Sequence, residues 1–381
     1  MKVALISPYS IRKVTGVGTS ILDLCRDFER KQIGYMLIVP AVKDSLELNE
    51  IYKAGKNYFE IPSADFPFTY NLNIINRSLR LLLKKRSDVD VIHVFTIKST
   101  TAAAAILARI LNKPVVTTIY VIQPPPEGLL RRAINSVSME IIFKLTDNFA
   151  YETYVARKQC GFLPGLIIPE GIDVNHFRRN TGLRKQTRAT LGISPKSFVL
   201  LYSGRLVENK GINELLNAVE TLPGKIQKRL KLILIGNFES EKIKRRIEGL
   251  KDQSWFLHQL PVARDEIKNY YLASDAFVLP SYIEGISSSL IEAMSCELPP
   301  IVSNVGGNVE VVEHDINGLV VEPRDVENLR KSIEKLIKNK KMRSRIGKNA
   351  RITVVNNFSL NKKSDLYIKL YNRSMKVTAS Q

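Results

Sequence analysis

The chain of 381 residues is 44% hydrophobic, which is enough to bury the cores of two ordinary domains. No apolar stretch approaches the roughly 20 residues that a transmembrane helix needs, so the sequence predicts no membrane span. The net charge of +20 would suit a nucleic-acid binder, but no helix-turn-helix, zinc-finger or RNA-binding motif accompanies it. An anionic membrane surface or an anionic substrate explains the charge better.

The first half of the chain alternates short β-rich runs with helical stretches. The opening run indicates a strand rather than a signal peptide, because Pro8 and Arg12 end it before a hydrophobic segment of sufficient length has formed. The predicted strands are Val3–Ser7, Met36–Val39, Asp90–Phe95 and Pro114–Ile119. With helices such as Ser99–Leu111 between them, this order predicts a parallel sheet with helices on both faces.

A glycine-containing loop follows the first predicted strand. Gly16 and Gly18 precede a helix that carries Ile21 and Leu24. The third glycine of a dinucleotide-binding fingerprint is missing, and no acidic residue closes the strand Met36–Val39. An NAD-dependent enzyme is therefore disfavoured.

Metal ligands and disulfides are not predicted. The cysteines are three in number, far apart and without metal-ligand spacing, which predicts a reduced, cytoplasmic protein. Asp88 and Asp90 form a D-x-D pair, but they open the strand that leads to His93, where a structural role is expected. His93 itself either faces a cleft or is a satisfied structural histidine, and the sequence does not decide between them.

A basic and apolar segment, residues 71–86, precedes that strand. It holds five cations among leucine and isoleucine, and no acidic residue occurs between Asp65 and Asp88. The pattern is typical of an interfacial membrane helix and equally of a surface helix with a solvated basic face. Residues 128–132 and 141–144 form a second basic and apolar patch. A lipid-linked acceptor at an anionic membrane surface would account for both.

A second series of strands begins after Arg184 and repeats the same architecture. These strands are Phe198–Ser203, Leu230–Ile235, Ala276–Leu279 and Ile301–Ser303. Ligands bind outside the carboxyl ends of strands in open α/β sheets. Because Arg205 follows the first of these strands and Glu284 follows the third, both are expected at one edge of the second sheet.

The pattern around Glu284 and Glu292 predicts an anion cradle between two carboxylates. Ser287 is the expected N-cap of a helix, so Glu284 would lie on the preceding loop and Glu292 about one turn into the helix. The N–H groups of a helix N-terminus favour an anion such as a diphosphate. Carboxylates on both sides suit a nucleotide sugar, which has hydroxyls at both ends. A loop cap and a solvated helix charge are the alternative interpretation.

These segments resemble motifs of the retaining glycosyltransferases of family 4, which have the GT-B fold, and the resemblance covers nearly the whole chain. The span from Glu284 to Glu292 is similar to the family's E-x7-E element. The other similar segments are Ile168–Phe177, Ser203–Gly211, Val305–Glu310 and Asn317–Val320. Their order and spacing make the resemblance specific.

The resemblance implies an α/β fold of GT-B architecture, with two facing Rossmann-like domains and a C-terminal helix that crosses back to the first. Residues 1–175 are expected to form the acceptor-binding domain and residues 181–356 the nucleotide-sugar donor domain. Residues 357–381 would form the crossover helix.

The resemblance also implies roles for individual residues. Arg205 and Lys210 are expected to hold the donor diphosphate and, with Glu284, to be catalytic. Glu284 would bind hydroxyls of the transferred sugar, and Glu292 would bind the ribose. The remaining expected donor-binding residues are Gly16, Gly204, Gly285, Ile286, Ser287 and Ser288.

The expected activity is retaining transfer of a sugar from a UDP- or GDP-linked donor to a glycan, glycolipid or lipid-linked acceptor. No cofactor, no essential metal and no protein nucleophile are expected. The acceptor would attack the sugar from the front face, and the leaving phosphate would accept the proton of the acceptor. The expected location is cytoplasmic, with peripheral contact through residues 71–86 with the inner face of an anionic membrane.

Several positions depart from the family pattern. Tyr120 stands where a histidine near the sugar and acceptor is usual, Glu170 where asparagine is usual, and His258 and Glu297 where glycine is usual. Two alternatives therefore stay open. One is a sugar-nucleotide epimerase of the same architecture, and the other is a catalytically weakened partner subunit that binds a nucleotide sugar.

Overall fold

The computed structural model describes residues 1–9, 16–40, 58–61, 76, 78–120 and 129–379. The chain divides into two compact units. The first comprises Met1–Glu170 together with Leu360–Gln381, and the second comprises Gly171–Ser359. The predicted α/β class is confirmed, because each unit is built on one parallel sheet that carries helices.

The first unit has seven strands in the order β3-β2-β1-β4-β5-β6-β7. They are β1 Lys2–Ile6, β2 Gly34–Pro40, β3 Tyr58–Ile61, β4 Val91–Phe95, β5 Val115–Ile119, β6 Asn148–Tyr151 and β7 Gly165–Ile167. Its first four helices are α1 Gly16–Arg30, α2 Ser99–Ile110, α3 Leu129–Leu145 and α4 Tyr154–Gln159, and residues 78–84 are also helical. All five residues of β4 are buried, as expected of a central parallel strand covered on both faces.

The second unit has six strands in the order β10-β9-β8-β11-β12-β13. They are β8 Phe198–Ser203, β9 Leu230–Ile235, β10 Phe256–Gln259, β11 Ala276–Leu279, β12 Pro300–Ser303 and β13 Leu319–Val321. The helices are α5 Thr181–Thr190, α6 Ile212–Glu220, α7 Gly224–Gln227, α8 Glu241–Glu248, α9 Arg264–Ala273, α10 Ser288–Ser295, α11 Asn308–Val311, α12 Val326–Lys338 and α13 Lys340–Asn357. The strand order reverses between β8 and β11, which makes their carboxyl ends the switch point where ligands bind in such sheets.

The last helix, α14 Leu360–Ala379, belongs to the first unit. The first segment of this unit ends at Glu170, and not at the predicted residue 175. Ile172 and Phe177 explain the difference, because both are buried in the core of the second unit. In addition, the Ile172 N–H donates to the Phe358 carbonyl at 3.0 Å, within the same unit.

Which face of the first sheet a helix covers depends on the direction in which the chain crosses from strand to strand. The chain steps from β1 to β2 through α1, and it later runs the opposite way from β4 to β7 through α2, α3 and α4. Since such crossovers are right-handed, the reversal puts the later helices on the other face. One face is accordingly packed with Phe28 of α1 and Tyr371 of α14. The opposite face is packed with Leu82, with Ala105 of α2 and with Ile142 of α3.

A buried ion pair holds α14 to the first unit. The Lys363 Nζ lies 3.0 Å from the Glu170 Oε2, and both side chains are almost completely buried. The Ser20 hydroxyl of α1 also donates to Glu170, at 2.7 Å. Lys363 thus supplies the positive charge that a buried carboxylate at position 170 requires.

Candidate active site

The candidate site of the second unit lies at the carboxyl ends of β8 and β11. The two strands are adjacent and parallel, with Ala276 opposite Leu200. The segment after β8 carries Arg205 and a 3₁₀ turn over Glu208–Lys210. The segment after β11 leads to Glu284. The second sheet thus presents both segments at one edge.

Lys210 and Glu284 form an ion pair at this edge. The Lys210 Nζ lies 2.6 Å from the Glu284 Oε1, and their side chains are 14% and 11% exposed. The Ser281 hydroxyl donates to the same carboxylate oxygen at 2.7 Å. The Tyr282 N–H donates to the Asn209 carbonyl at 2.8 Å, which fixes one segment against the other. The result is a largely desolvated cation beside a carboxylate, where electrostatic interactions are strong.

Two glycines allow the backbone to approach this pair closely. Gly211 has a φ of 69°, and a Cβ there would lie 2.0 Å from the Pro280 carbonyl oxygen. Gly306 has a φ of 46°, and a Cβ there would lie 1.9 Å from the Glu284 carbonyl oxygen. Both positions require the left-handed conformation that glycine adopts without strain. The glycines therefore allow the backbone segments that carry Lys210 and Glu284 to pack closely against their neighbours.

We expect Gly306→Ala to displace Glu284 and to destabilise the second unit by about 1–3 kcal/mol, because the new Cβ meets a carbonyl oxygen at a left-handed residue. Gly224→Ala is the matched control, since Gly224 opens α7 with nothing within 4 Å of an added Cβ. Thermal unfolding of both variants measures the difference. Equal stability of the two variants would show that residues 306–307 yield without cost.

Arg205 lies at the same edge but has a different carboxylate partner. Its Nη1 lies 2.9 Å from the Glu239 Oε2, and both side chains are exposed. The Tyr202 hydroxyl donates to the Arg205 carbonyl at 2.8 Å. A Cβ at Gly204 would lie 2.9 Å from that hydroxyl, which explains the glycine before the arginine. Glu239 could not be predicted from the sequence, since no motif marks it.

The N-terminus of α10 faces the loop that carries Glu284. Ser287 is the N-cap residue, as predicted. Its side chain does not cap the helix but lies 2.9 Å from the Ser289 hydroxyl. The first N–H groups of a helix, here including that of Ser288, have no carbonyl partner within the helix. Ile286 is buried in the core and anchors the loop. The anion cradle expected at residues 285–288 stays a prediction.

Glu292 is buried on α10 and has two polar neighbours from α9. The Tyr271 hydroxyl donates to its Oε2 at 2.9 Å. The Arg264 Nη2 lies 3.9 Å from its Oε1. Burial raises the pKa of Tyr271 well above its ordinary value, and the Glu292 carboxylate raises it further, so the phenol is a neutral donor. No sequence motif marks Tyr271 or Arg264, because only the fold brings α9 beside α10.

Two departures from the family pattern have local explanations in this unit. Glu297 has a φ of 64°, the left-handed region that favours glycine, and its carboxylate lies 3.0 Å from Arg179. The His258 Nε2 lies 3.1 Å from the Gly236 carbonyl oxygen, and burial lowers the pKa of His258. Both side chains are accommodated without loss of the Lys210–Glu284 pair.

In the first unit, His93 is a structural residue. Its Nδ1 lies 2.7 Å from the Tyr371 hydroxyl and its Nε2 lies 2.7 Å from the Thr118 hydroxyl. Burial, with Lys363 nearby, lowers the pKa of His93 to about 3. His93 is therefore neutral, and of its two possible roles the structural one holds.

Tyr120 follows β5, and Gly16 is the exposed first residue of α1. Burial raises the pKa of Tyr120 well above its ordinary value, and the neighbouring Tyr367 and Glu152 raise it further. A phenol with so high a pKa stays neutral near pH 7. Tyr120 is therefore a neutral phenol near pH 7.

Asp88 and Asp90 lie at the amino end of β4, away from the carboxyl edge of the sheet. The Lys2 N–H donates to the Asp90 carboxylate at 2.8 Å, and Lys85 lies 3.7 Å from Asp88. Across the part of the chain that the structure describes, no three His, Cys, Asp or Glu side chains are grouped as metal ligands. Metal independence stays a prediction.

The predicted membrane segment is described only in part. Residues 71–75 and 77 lie outside the described residues, as does residue 128 of the second patch. Residues 78–84 are helical, with Leu82 buried and with Arg80 and Lys84 exposed. Among the described helices, none combines the length and the apolar character needed to cross a membrane.

Two family models match the chain. The model described as glycosyl transferases group 1 matches residues 184–353, and the model described as glycosyltransferase family 4 matches residues 14–149. The two matches thus fall separately on the second unit and on the first.

Individual proteins are similar over part or all of the chain. The capsular polysaccharide biosynthesis glycosyltransferase CapM of Staphylococcus aureus is 35% identical over 43% of this chain and 43% of its own. The UDP-Gal:alpha-D-GlcNAc-diphosphoundecaprenol alpha-1,3-galactosyltransferase of Escherichia coli is 26% identical over 77% of this chain and 78% of its own. The chain spans 64% of a further relative, from Bacillus subtilis. The crystal structure of Anabaena HepE in complex with UDP is similar over 100% of both chains, with a TM-score of 0.78 at 19% identity.

Proposed function

Because the chain belongs to the glycosyl transferases group 1 family and has the two-domain GT-B fold, we propose that it is a retaining transferase that moves a sugar from a uridine diphosphate sugar to a lipid-linked acceptor. The observation that carries the proposal is the ion pair, 2.6 Å long, between Lys210 in the turn after β8 and Glu284 on the loop that leads into the N-terminus of α10. Such an edge offers a cation and helix N–H groups to a diphosphate, and carboxylates to the hydroxyls on either side of it.

In the proposed reaction, the bond between the anomeric carbon and the diphosphate oxygen breaks. Negative charge then grows on the leaving diphosphate. Lys210 and Arg205 stabilise that charge, each exchanging its carboxylate partner for the phosphate. The N–H groups at residues 287–288 add their dipoles. The protein thus positions and stabilises, and it forms no covalent bond with the sugar.

The acceptor hydroxyl attacks the same face of the sugar that the diphosphate leaves. A new bond forms from the acceptor oxygen to the anomeric carbon, and the acceptor proton passes to the departing diphosphate oxygen. Glu284 holds the sugar hydroxyls during the transfer.

The donor and acceptor classes rest on relatives. The Escherichia coli relative is named for a UDP-galactose donor and a diphosphoundecaprenol-linked acceptor. HepE, which shares the fold, was solved with UDP-glucose. A GDP-linked donor is the alternative within the same mechanism. Metal independence and a cytoplasmic location are part of the proposal, and the three buried, free cysteines are compatible with a reducing compartment.

We expect Glu292→Ala to weaken binding of UDP about tenfold, because one charged hydrogen bond to the ribose contributes about 1.5 kcal/mol. Glu284→Gln, by contrast, should not weaken UDP binding, because it frees Lys210 for the phosphate, and it should impair transfer. Calorimetric titration with UDP separates the two roles. Tyr271→Phe is the control, since it removes a neighbour of Glu292 and keeps the carboxylate. Unchanged UDP affinity in Glu292→Ala would contradict the proposed orientation of the donor, in which Glu292 binds the ribose.

An assay of nucleotide release tests the proposed function. The protein is incubated with single UDP-sugars, with and without purified diphosphoundecaprenol-linked saccharides. UDP release that requires the acceptor is the expected result. Conversion of the donor sugar without UDP release would instead identify an epimerase, and UDP-sugar binding without turnover would identify a partner subunit. Either result would contradict transfer.

A further inference from the structure

An apolar groove lies between α2 and α3 on the surface of the first unit. It has a volume of about 380 Å³, and none of its lining residues is charged. Ala102 and Ile106 of α2 line one wall, and Ile134, Val137 and Ile141 of α3 line the other. The groove is thus an aliphatic surface with almost no hydrogen-bonding capacity.

Large aliphatic side chains along this groove are exposed rather than buried. Ile106 is 41% exposed, Ile134 is 43% exposed and Val137 is 56% exposed. Ile110, at the end of α2, is 71% exposed. Single exposed aliphatic residues are ordinary, but several on two packed helices form a contiguous patch that indicates a binding surface.

Exposed cations lie on the helices that pack over the same face of the sheet as this patch. The helical residues 78–84, α2 and α3 all pack over that face. Arg80 and Lys84 are exposed on residues 78–84, and Arg132 is exposed on α3. Lys144 of α3 is paired with the exposed Glu140 at 2.6 Å, so these two residues add no net charge to the face. An aliphatic centre with a basic rim is the chemistry that an anionic lipid surface complements.

We propose that this face docks on an anionic lipid bilayer, with the aliphatic residues of α2 and α3 in the apolar boundary layer and the rim cations on the lipid headgroups. The inference rests on the proposed function, because a lipid-linked acceptor must be reached at a membrane. A second copy of this chain is the less favourable occupant. In a twofold contact the same rim cations would face one another, and like charges repel.

Vesicle binding by the full-length chain tests the aliphatic centre. Wild-type protein should sediment with vesicles that contain phosphatidylglycerol, and less so as salt rises. We expect the triple substitution Ile106→Gln, Ile134→Gln and Val137→Gln to weaken this binding at least roughly tenfold, since each change removes an exposed side chain from the apolar layer. The matched control is Ile352→Gln with Val355→Gln, exposed residues of α13 in the second unit.

The basic rim is tested with a second variant. Arg80→Gln with Lys84→Gln and Arg132→Gln should reduce both the binding to anionic vesicles and its dependence on salt. Neutral phosphatidylcholine vesicles should bind wild type weakly. Equal binding of wild type to neutral and anionic vesicles would overturn the proposed role of the cations.

Insertion is measured with tryptophan, of which the chain has one. Val137→Trp should give fluorescence that brominated lipids quench, whereas Ile352→Trp should not. The proposal is overturned if wild type does not bind vesicles, if the aliphatic triple variant binds like wild type, or if a concentration-dependent dimer protects Val137→Trp in place of lipid. UDP release with a detergent-solubilised acceptor is measured in parallel. If UDP release persists while vesicle binding is lost, only the docking face is refuted. If vesicle binding is intact but UDP release is absent, only the proposed function is refuted.

Discussion

Replacing Lys210 with alanine is expected to lower turnover at saturating donor by roughly 10²–10³, the cost of losing one charge-stabilising group at a reacting centre. Lys210 is the cation held 2.6 Å from Glu284, and both side chains are mostly withdrawn from water. In such surroundings solvent cannot replace the lost charge on the leaving diphosphate. The fall should appear in kcat more than in KM, because the charge develops in the transition state.

The control for this variant is Lys335→Ala. Lys335 forms an ion pair of 2.9 Å with Asp315, but both side chains are about half exposed. Its removal should leave turnover unchanged. Arg205→Ala should also lower turnover, because Arg205 is the second cation at this edge. Near-normal turnover in both Lys210→Ala and Arg205→Ala would rule out the diphosphate assignment.

The largest effect on stability is expected for Lys363→Met. The substitution leaves the buried Glu170 carboxylate without its charged partner at 3.0 Å. Breaking such a pair from one side costs about 3–5 kcal/mol. For a unit of this size, that corresponds to a melting temperature lower by roughly 10 °C. Scanning calorimetry measures the fall in melting temperature, and faster hydrogen exchange in α1 and α14 would show where stability is lost.

Two further variants give this stability prediction its controls. Adding Glu170→Gln to Lys363→Met should restore much of the loss, because no uncompensated charge is then buried. Lys144→Met removes a partner of an exposed pair, with Glu140, and should change stability by less than about 0.5 kcal/mol. A melting temperature of Lys363→Met equal to that of Lys144→Met would contradict a role for the buried pair.

Much of the fold could be predicted from local patterns, because its central strands are continuous apolar runs. Three predicted strands of the second unit, Phe198–Ser203, Leu230–Ile235 and Ala276–Leu279, agree with the structure residue for residue. The strands that were missed are short, and all of them except Leu319–Val321 contain polar residues or glycine. Asn148–Tyr151 and Gly165–Ile167 are strands because they pair with each other at an edge of the sheet, which local propensity does not encode.

The candidate site was predictable where motifs carry it and not where the fold assembles it. Lys210 and Glu284 stand out in the sequence, but they are 74 positions apart and pair only because the strands that precede them are adjacent. Tyr271 and Glu239 carry no motif, and their contacts with Glu292 and Arg205 arise only from packing between elements. Glu170 departs from the family pattern, and its ion-pair partner Lys363 lies 193 positions further along the chain, so the sequence alone does not explain it.

The most direct test of the proposed activity is the configuration of the product. The protein is given a donor whose sugar is α-linked to UDP, together with a diphosphoundecaprenol-linked saccharide, and proton NMR of the isolated product reads the new anomeric linkage. Retaining transfer at the Lys210–Glu284 edge predicts an α-linked sugar on the acceptor, with UDP released in equal amount. A β-linked product, or no linked product with any donor that binds, would contradict it.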